Sequence, residues 1–197
     1  MSEVAPAVID EEERLCWYAM SATFGRELKA KEYLEKNSVE CFVPMKYSVA
    51  GRNASTKKLS LVPAVNNLLF VHGQKSRIQE LKSRLSYLQY HTHPDGLGHN
   101  IPIVVPDKDM QQFITLCEQH IDKLRYLSPQ EVDLSQGTPV RIVGGIYDGI
   151  EGTFIKLLRH RSKKFIVHIQ GIAAVMIADI SDGHLQVIDP TVCDVTR

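Results

Sequence analysis

Gly137-Thr-Pro-Val-Arg-Ile-Val-Gly-Gly-Ile-Tyr-Asp-Gly-Ile-Glu-Gly-Thr-Phe154 decides how the second half of the chain folds. It opens as a strand, with Val140 and Ile142 on one face and Arg141 on the other by the two-residue period. Gly144, Gly145, Gly149 and Gly152 then crowd one short connection, the mark of backbone that needs positive φ or close approach. A second strand, Thr153–Leu157, follows at once. Beyond it Arg159-His-Arg-Ser-Lys-Lys164 reads as a hairpin tip, which either touches RNA phosphates or is a solvated turn guarding an edge strand. Phe165, Val167 and Ile169 alternate inward behind it. Ile172–Ile177 and Leu185–Ile188 supply two further short strands, although Ala173-Ala-Val-Met176 also suits a helix. Short strands with glycine corners in so few residues imply a small barrel over 137–190, with a tail at 191–197.

Upstream, polar 127–136 contains Pro129 and holds no period, so it reads as a linker. Composition bounds the rest. The 197 residues are 44% hydrophobic and 23% charged, enough for a buried core, and the formal net charge is zero. Nothing global draws the chain to nucleic acid, so such contacts must come from local patches. The four cysteines are scattered without a Cys-x-x-Cys pair, which argues against a disulfide framework or a cysteine zinc site. No apolar run reaches the roughly 20 residues of a membrane span, and the acidic start lacks a secretory leader, so a cytoplasmic monomer is expected.

Residues 1–14 read as a disordered acidic tail and 15–126 as one α+β domain. Leu15–Met20 is an apolar strand holding the only tryptophan. Arg26–Asn37 is a helix with Leu28 and Leu34 facing a core, and Arg26, Lys29, Tyr33 and Lys36 share another face. That face is either a solvated flank or a basic stripe for phosphates. Val39–Ser48 is a strand that Pro44 interrupts at an edge or bulge. Residues 51–58 form a polar hairpin tip, Val65–Val71 an apolar strand, 75–85 a helix with Ile78, Leu81 and Leu85 on one stripe, and 87–90 another strand. Asp107 caps a helix whose apolar stripe runs Phe113, Ile114, Cys117, Ile121, Leu124. Elements in this order argue helices on a mostly antiparallel sheet.

No phosphate loop, dinucleotide fingerprint or Gly-x-Ser-x-Gly elbow is present, so catalysis has no candidate residue. His91, His93, Asp95 and His99 are the one tempting metal set. They straddle a Pro-Asp-Gly turn without the fixed i, i+4 geometry that places two ligands together, and a polar surface loop is the better account. No metal or cofactor is expected.

The strand, glycine-studded loop and strand of 137–157, with Tyr147-Asp148-Gly149 at its corner, resemble the KOW module of NusG-type transcription factors. Trp17-Tyr18, then Cys41-x-x-Pro44-Met45, Pro63, Leu69-Phe70-Val71 and Ile103-Val-Val-Pro-Asp107 resemble the NusG N-terminal domain. The Cys-x-x-Pro-Met run and the acidic tail resemble the specialised RfaH and UpxY antiterminators. Where the family has an aromatic-Pro-Gly/Asn-Tyr run, this chain has Val65-Asn66-Asn67-Leu68, and the His-Thr-Thr-Thr run of some paralogues has no match.

The resemblance implies a NusG-type α/β sandwich followed by a KOW barrel, in a transcription elongation and antitermination factor that is not an enzyme. The first domain would dock on the clamp helices of RNA polymerase through Phe24, Phe42, Pro44, Val65 and Leu68, with a place in the core as the rival reading of these residues, particularly Phe42. Arg26, Lys29 and Lys36 would meet upstream or non-template DNA. The KOW module would recruit a ribosomal protein or termination factor through Ile146, Tyr147, Arg159, Arg161, Lys163 and Lys164. The rival is a ribosome-associated RNA-binding protein, against which the neutral charge argues.

Overall fold

The computed structural model describes residues 14–50, 58–127, 137–156, 163–169, 172–177 and 184–188. In chain order the first elements are β1 (Leu15–Ala22), α1 (Glu27–Lys36), β2 (Glu40–Phe42), β3 (Met45–Ala50), β4 (Lys58–Pro63), β5 (Leu68–Gln74), α2 (Lys75–Lys82) and β6 (Leu88–Tyr90). Then come β7 (Thr92–Pro94), β8 (Asn100–Pro102), β9 (Val104–Val105), α3 (Asp107–Gln119) and β10 (Leu124–Leu127). The last strands are β11 (Thr138–Val143), β12 (Glu151–Lys156), β13 (Lys163–Ile169), β14 (Ala173–Ile177) and β15 (His184–Val187). The chain divides into two compact units, Met1–Pro44 with Val65–Met110, and Met45–Ala64 with Gln111–Arg197. The fold class is α+β, with antiparallel pairing throughout the described sheets.

The first unit is built on the sheet β2-β5-β1-β6, with β9 also pairing β1. Trp17 to Met20 and Leu68 to Val71 are buried without alternation, because both faces of the central strands are covered. Helices α1 and α2 supply cover through Ala30, Leu34, Ile78 and Leu81, all buried. Pro44, which has no N–H for a ladder, stands between β2 and β3, and the expected long strand is split there.

The second unit carries a six-stranded sheet in the order β10-β14-β13-β12-β11-β15 and the β3–β4 hairpin. Val140 and Ile142 are buried and Arg141 is exposed, as the two-residue period requires. Gly144, Gly145 and Gly149 all take positive φ. Gly152 is needed for space instead: a Cβ there would lie 2.5 Å from the Ile166 carbonyl oxygen. Leu127, Ile155, Ile166, Ala174 and Met176 form a buried cluster at this level of the sheet. Residues 173–176, open to either reading, are strand.

Two expectations need correction. The apolar stripe through Ile121 and Leu124 is not helical to its end, since α3 stops at Gln119 and Leu124 opens β10. That strand pairs Leu124–Leu127 with Ile177–Ala174 of β14, so the expected boundary between 126 and 127 falls inside it. Its Tyr126 hydroxyl also donates to the Met45 carbonyl at 3.2 Å, tying β10 to the hairpin.

Candidate docking and nucleic-acid interfaces

Of the five apolar residues expected at a docking face, three are interior. Leu68 is 2% exposed and Phe42 is 8% exposed, and Pro44 is buried beside it. The reason is a turn at Asn67, whose φ of 63° sends the chain inward, so that Leu68 enters the sheet opposite Ser21. Val65, before that turn, is half-buried, and Phe24 is 84% exposed.

The second unit exposes apolar side chains at Ile146, at Val187 and along the β3–β4 hairpin. Tyr47 stands opposite Leu61 and Val49 opposite Leu59, so the four side chains share one face of the ribbon. All four are 50–61% exposed. The signal was in the sequence, as apolar residues two apart at 47 and 49 and again at 59 and 61. Treating 39–48 as one strand and 51–58 as a tip hid the pairing.

At one end of the first sheet, Thr23–Arg26 forms a braced corner. The Thr23 amide donates to the Tyr87 carbonyl at 3.0 Å and the Ala22 amide to the Asn67 carbonyl at 2.7 Å. The Gly25 amide donates to Asn67 Oδ1 at 2.9 Å. Phe24 holds a φ of 64°, rare for an aromatic residue. The Arg26 guanidinium lies 5.4 Å from the Phe24 ring centre and 5.0 Å from that of Tyr87.

The three expected nucleic-acid cations divide. Arg26 and Lys29 are exposed at the start of α1, and among the described residues no carboxylate forms a salt bridge with either. Lys36 is exposed but pairs with Glu32 at 2.7 Å, which also holds the Glu32 carboxyl below its ordinary range. Lys31 pairs likewise with Glu35. The stripe is therefore positive only at its N-terminal end.

In the C-terminal module Ile146 is exposed, whereas Tyr147 is only 4% exposed and cannot present its ring to a partner. His120 covers it edge-on, the ring centres 4.5 Å apart. The neighbouring strand is held by Gln112, whose Nε2 donates to the Glu151 carbonyl at 2.6 Å and whose Oε1 accepts the Glu151 amide at 2.9 Å. Arg141 reaches the Glu151 carboxylate from the next strand. Lys164 is half-buried on β13. Arg159, Arg161 and the Lys163 side chain lie outside the described residues, as do the expected tails apart from Arg14 and the expected linker apart from Leu127.

The histidine-rich segment is the β7–β8 hairpin. Asp95 Oδ1 accepts the amides of Leu97 and His99, and its Oδ2 faces His99 Nδ1 at 3.0 Å. No group of three potential metal ligands occurs among the described residues. Burial pushes the Cys41 and Cys117 thiols up to about 12, so neither supplies a thiolate at neutral pH. No described helix is long and apolar enough to cross a membrane.

The family described as "Transcription termination factor nusG" matches residues 15–114, just over half of the 197-residue chain. No curated protein matches the sequence. Among solved structures, the chain is similar to one from the "Crystal Structure of MjSpt4:Spt5 complex conformation B", at 13% identity. The alignment covers 88% of this chain and 99% of that one, with a TM-score of 0.26, too low for the two folds to be equated.

Proposed function

Since the chain belongs to the NusG family of transcription factors, we propose that it is an elongation and antitermination factor that binds RNA polymerase and recruits a second protein through its C-terminal module. The observation that carries this reading is the apolar ladder Tyr47, Leu61, Val49, Leu59, which exposes hydrophobic area that a folded chain gains by burying against a partner. Within the segment matched by the family, this ladder takes the role first given to Phe42, Pro44 and Leu68, with Val65 kept as a lesser contributor. Binding that favours one conformation of the polymerase clamp is a population shift and requires no reacting group. Within the family we read the chain as a specialised paralogue, on the Cys41-x-x-Pro44-Met45 run and its acidic start. Ile146 is the described residue that supports a contact from the C-terminal module, to a ribosomal protein or termination factor.

The test is retention of the full chain on immobilised core RNA polymerase, comparing wild type with Val49→Asp/Leu61→Asp. Wild type should be retained and the double variant lost. Equal retention, with both proteins folded by circular dichroism, would remove the ladder from the reading.

A further inference from the structure

We infer that Leu97, at the tip of the β7–β8 hairpin, is a second anchor on RNA polymerase, seated in an uncharged apolar pocket of the enzyme's protein surface. The inference rests on the reading that this chain docks on the polymerase through the β3–β4 ladder.

Leu97 is 84% exposed, in a turn that its neighbours hold rigid. Asp95 Oδ1 accepts the Leu97 amide at 2.7 Å and the His99 amide at 3.0 Å, and the Asp95 amide donates to the His99 carbonyl at 3.0 Å. The stem is tied to β1 as firmly. The His91 amide donates to the Ala19 carbonyl at 2.9 Å, and the Ala19 amide donates to the Ile103 carbonyl at 3.1 Å. Ile101, opposite His93 on the ribbon, adds a second exposed apolar side chain. A leucine carried on a braced turn leaves little backbone freedom to be lost on entering a pocket.

Backbone and charge decide the kind of contact. The Asp95 amide bonds His99 and the Ile103 amide bonds His91, so by alternation the pairs Pro94–Asn100 and Thr92–Pro102 turn their backbone groups outward. Proline has no N–H, so each outer edge of the ribbon lacks a donor and resists extension by a further strand. Recognition is left to side chains. From Ser86 to Pro106, Asp95 is the only Asp, Glu, Lys or Arg, in a chain that is 23% charged. Its carboxylate is already occupied by the turn. Nucleic-acid phosphates find no lysine or arginine on this stretch, which suits a neutral protein pocket instead.

Area decides the occupant. Specific, stable interfaces bury roughly 1,200–2,000 Å² in all, more than two copies of so short a hairpin can bury tip to tip, and the donor-free edges deny them a zipper. A contact this small gains most on a partner already held elsewhere, because the second contact is then intramolecular. The ladder supplies that partner, and hairpin and ladder both lie within the family-matched residues 15–114.

The experiment measures the affinity of the full chain for immobilised, nucleic-acid-free core RNA polymerase. Leu97→Asp should weaken binding about tenfold, equally at low and high salt, while its unfolding midpoint stays at the wild-type value. Leu97→Met should bind like wild type. Leu97→Asp binding as wild type while Val49→Asp/Leu61→Asp is lost overturns the anchor and leaves the ladder standing. Failure of wild type itself to bind overturns both. A Leu97→Asp loss seen only when the polymerase carries a nucleic-acid scaffold assigns the tip to nucleic acid and overturns the pocket. Sedimentation velocity checks the remaining occupant: a wild-type dimer that Leu97→Asp dissolves would make the tip a contact between copies of this chain and overturn the assignment to polymerase.

Discussion

Asn67 Oδ1 accepts the Gly25 amide at 2.9 Å while Asn67 itself sits at a φ of 63°. One residue thus turns β5 into the sheet and braces the loop that carries Phe24. Asn67→Ala removes the acceptor and puts a poorly suited residue in the left-handed region. It should cost about 1–2 kcal/mol, read as a lower denaturant midpoint. Asn67→Gly keeps the backbone tolerance and should cost roughly half of that. Matching midpoints for wild type and Asn67→Ala would show that the brace holds nothing.

Gly149, in the connection after β11, and Gly152, in β12, separate two demands that look alike in sequence. Gly149 needs its φ of 80° but has open space around a Cβ, so Gly149→Ala should cost about 1 kcal/mol. At Gly152 the obstacle is the Ile166 carbonyl at 2.5 Å with Phe165 Cζ at 2.7 Å, and backbone cannot step aside as a side chain can. Gly152→Ala should therefore cost more, about 2–3 kcal/mol, with the loss seen as faster amide exchange in β12 and β13. Equal costs at the two positions would contradict this ordering.

That stretch was legible because its period and its glycines constrain the chain locally. Burial was harder to read. Alternation tells which residues share a face but not whether that face is covered, so it could not contradict the docking role that the resemblance implied for Leu68 and Phe42, which the sheet around β5 encloses. The β3–β4 ladder was missed for the converse reason: its register is a relation between two segments separated by 51–57, and neither strand announces it alone. The end of α3 was lost because Ile121 and Leu124 continue a helical spacing while Leu124–Leu127 also serve as a short strand. Phe24's positive φ left no mark at all, since Phe-Gly would ordinarily place the left-handed residue at the glycine.

Leu68 and Leu61 differ in sequence context by little and should differ in mutational behaviour by much. Leu68→Ala opens a cavity between covered faces and should cost about 2–5 kcal/mol, losing polymerase retention only as the fold is lost. Leu61→Ala trims an exposed side chain, with a stability change within about 0.5 kcal/mol, and should weaken retention while the unfolding midpoint holds. Were Leu61→Ala to unfold the chain as readily as Leu68→Ala, the ladder would have to be reassigned to the core.

Asp95 gives the β7–β8 turn a pH dependence whose sign follows from its partners. Donation from the His99 and Leu97 amides lowers its pKa below the ordinary 3.8, because both bonds favour the ionised carboxylate. A depressed folded-state pKa contributes stability that is present above the unfolded value and disappears as pH falls through the folded one. The hairpin should accordingly be intact at neutral pH and loosen only below pH 3.8. Leu97 and His99 amide shifts should report that titration together. Asp95→Asn should abolish the coupled acidic transition, since a neutral side chain cannot gain the proton. Amide shifts that titrate instead with a midpoint above the ordinary carboxylate range would show that His99 controls the turn.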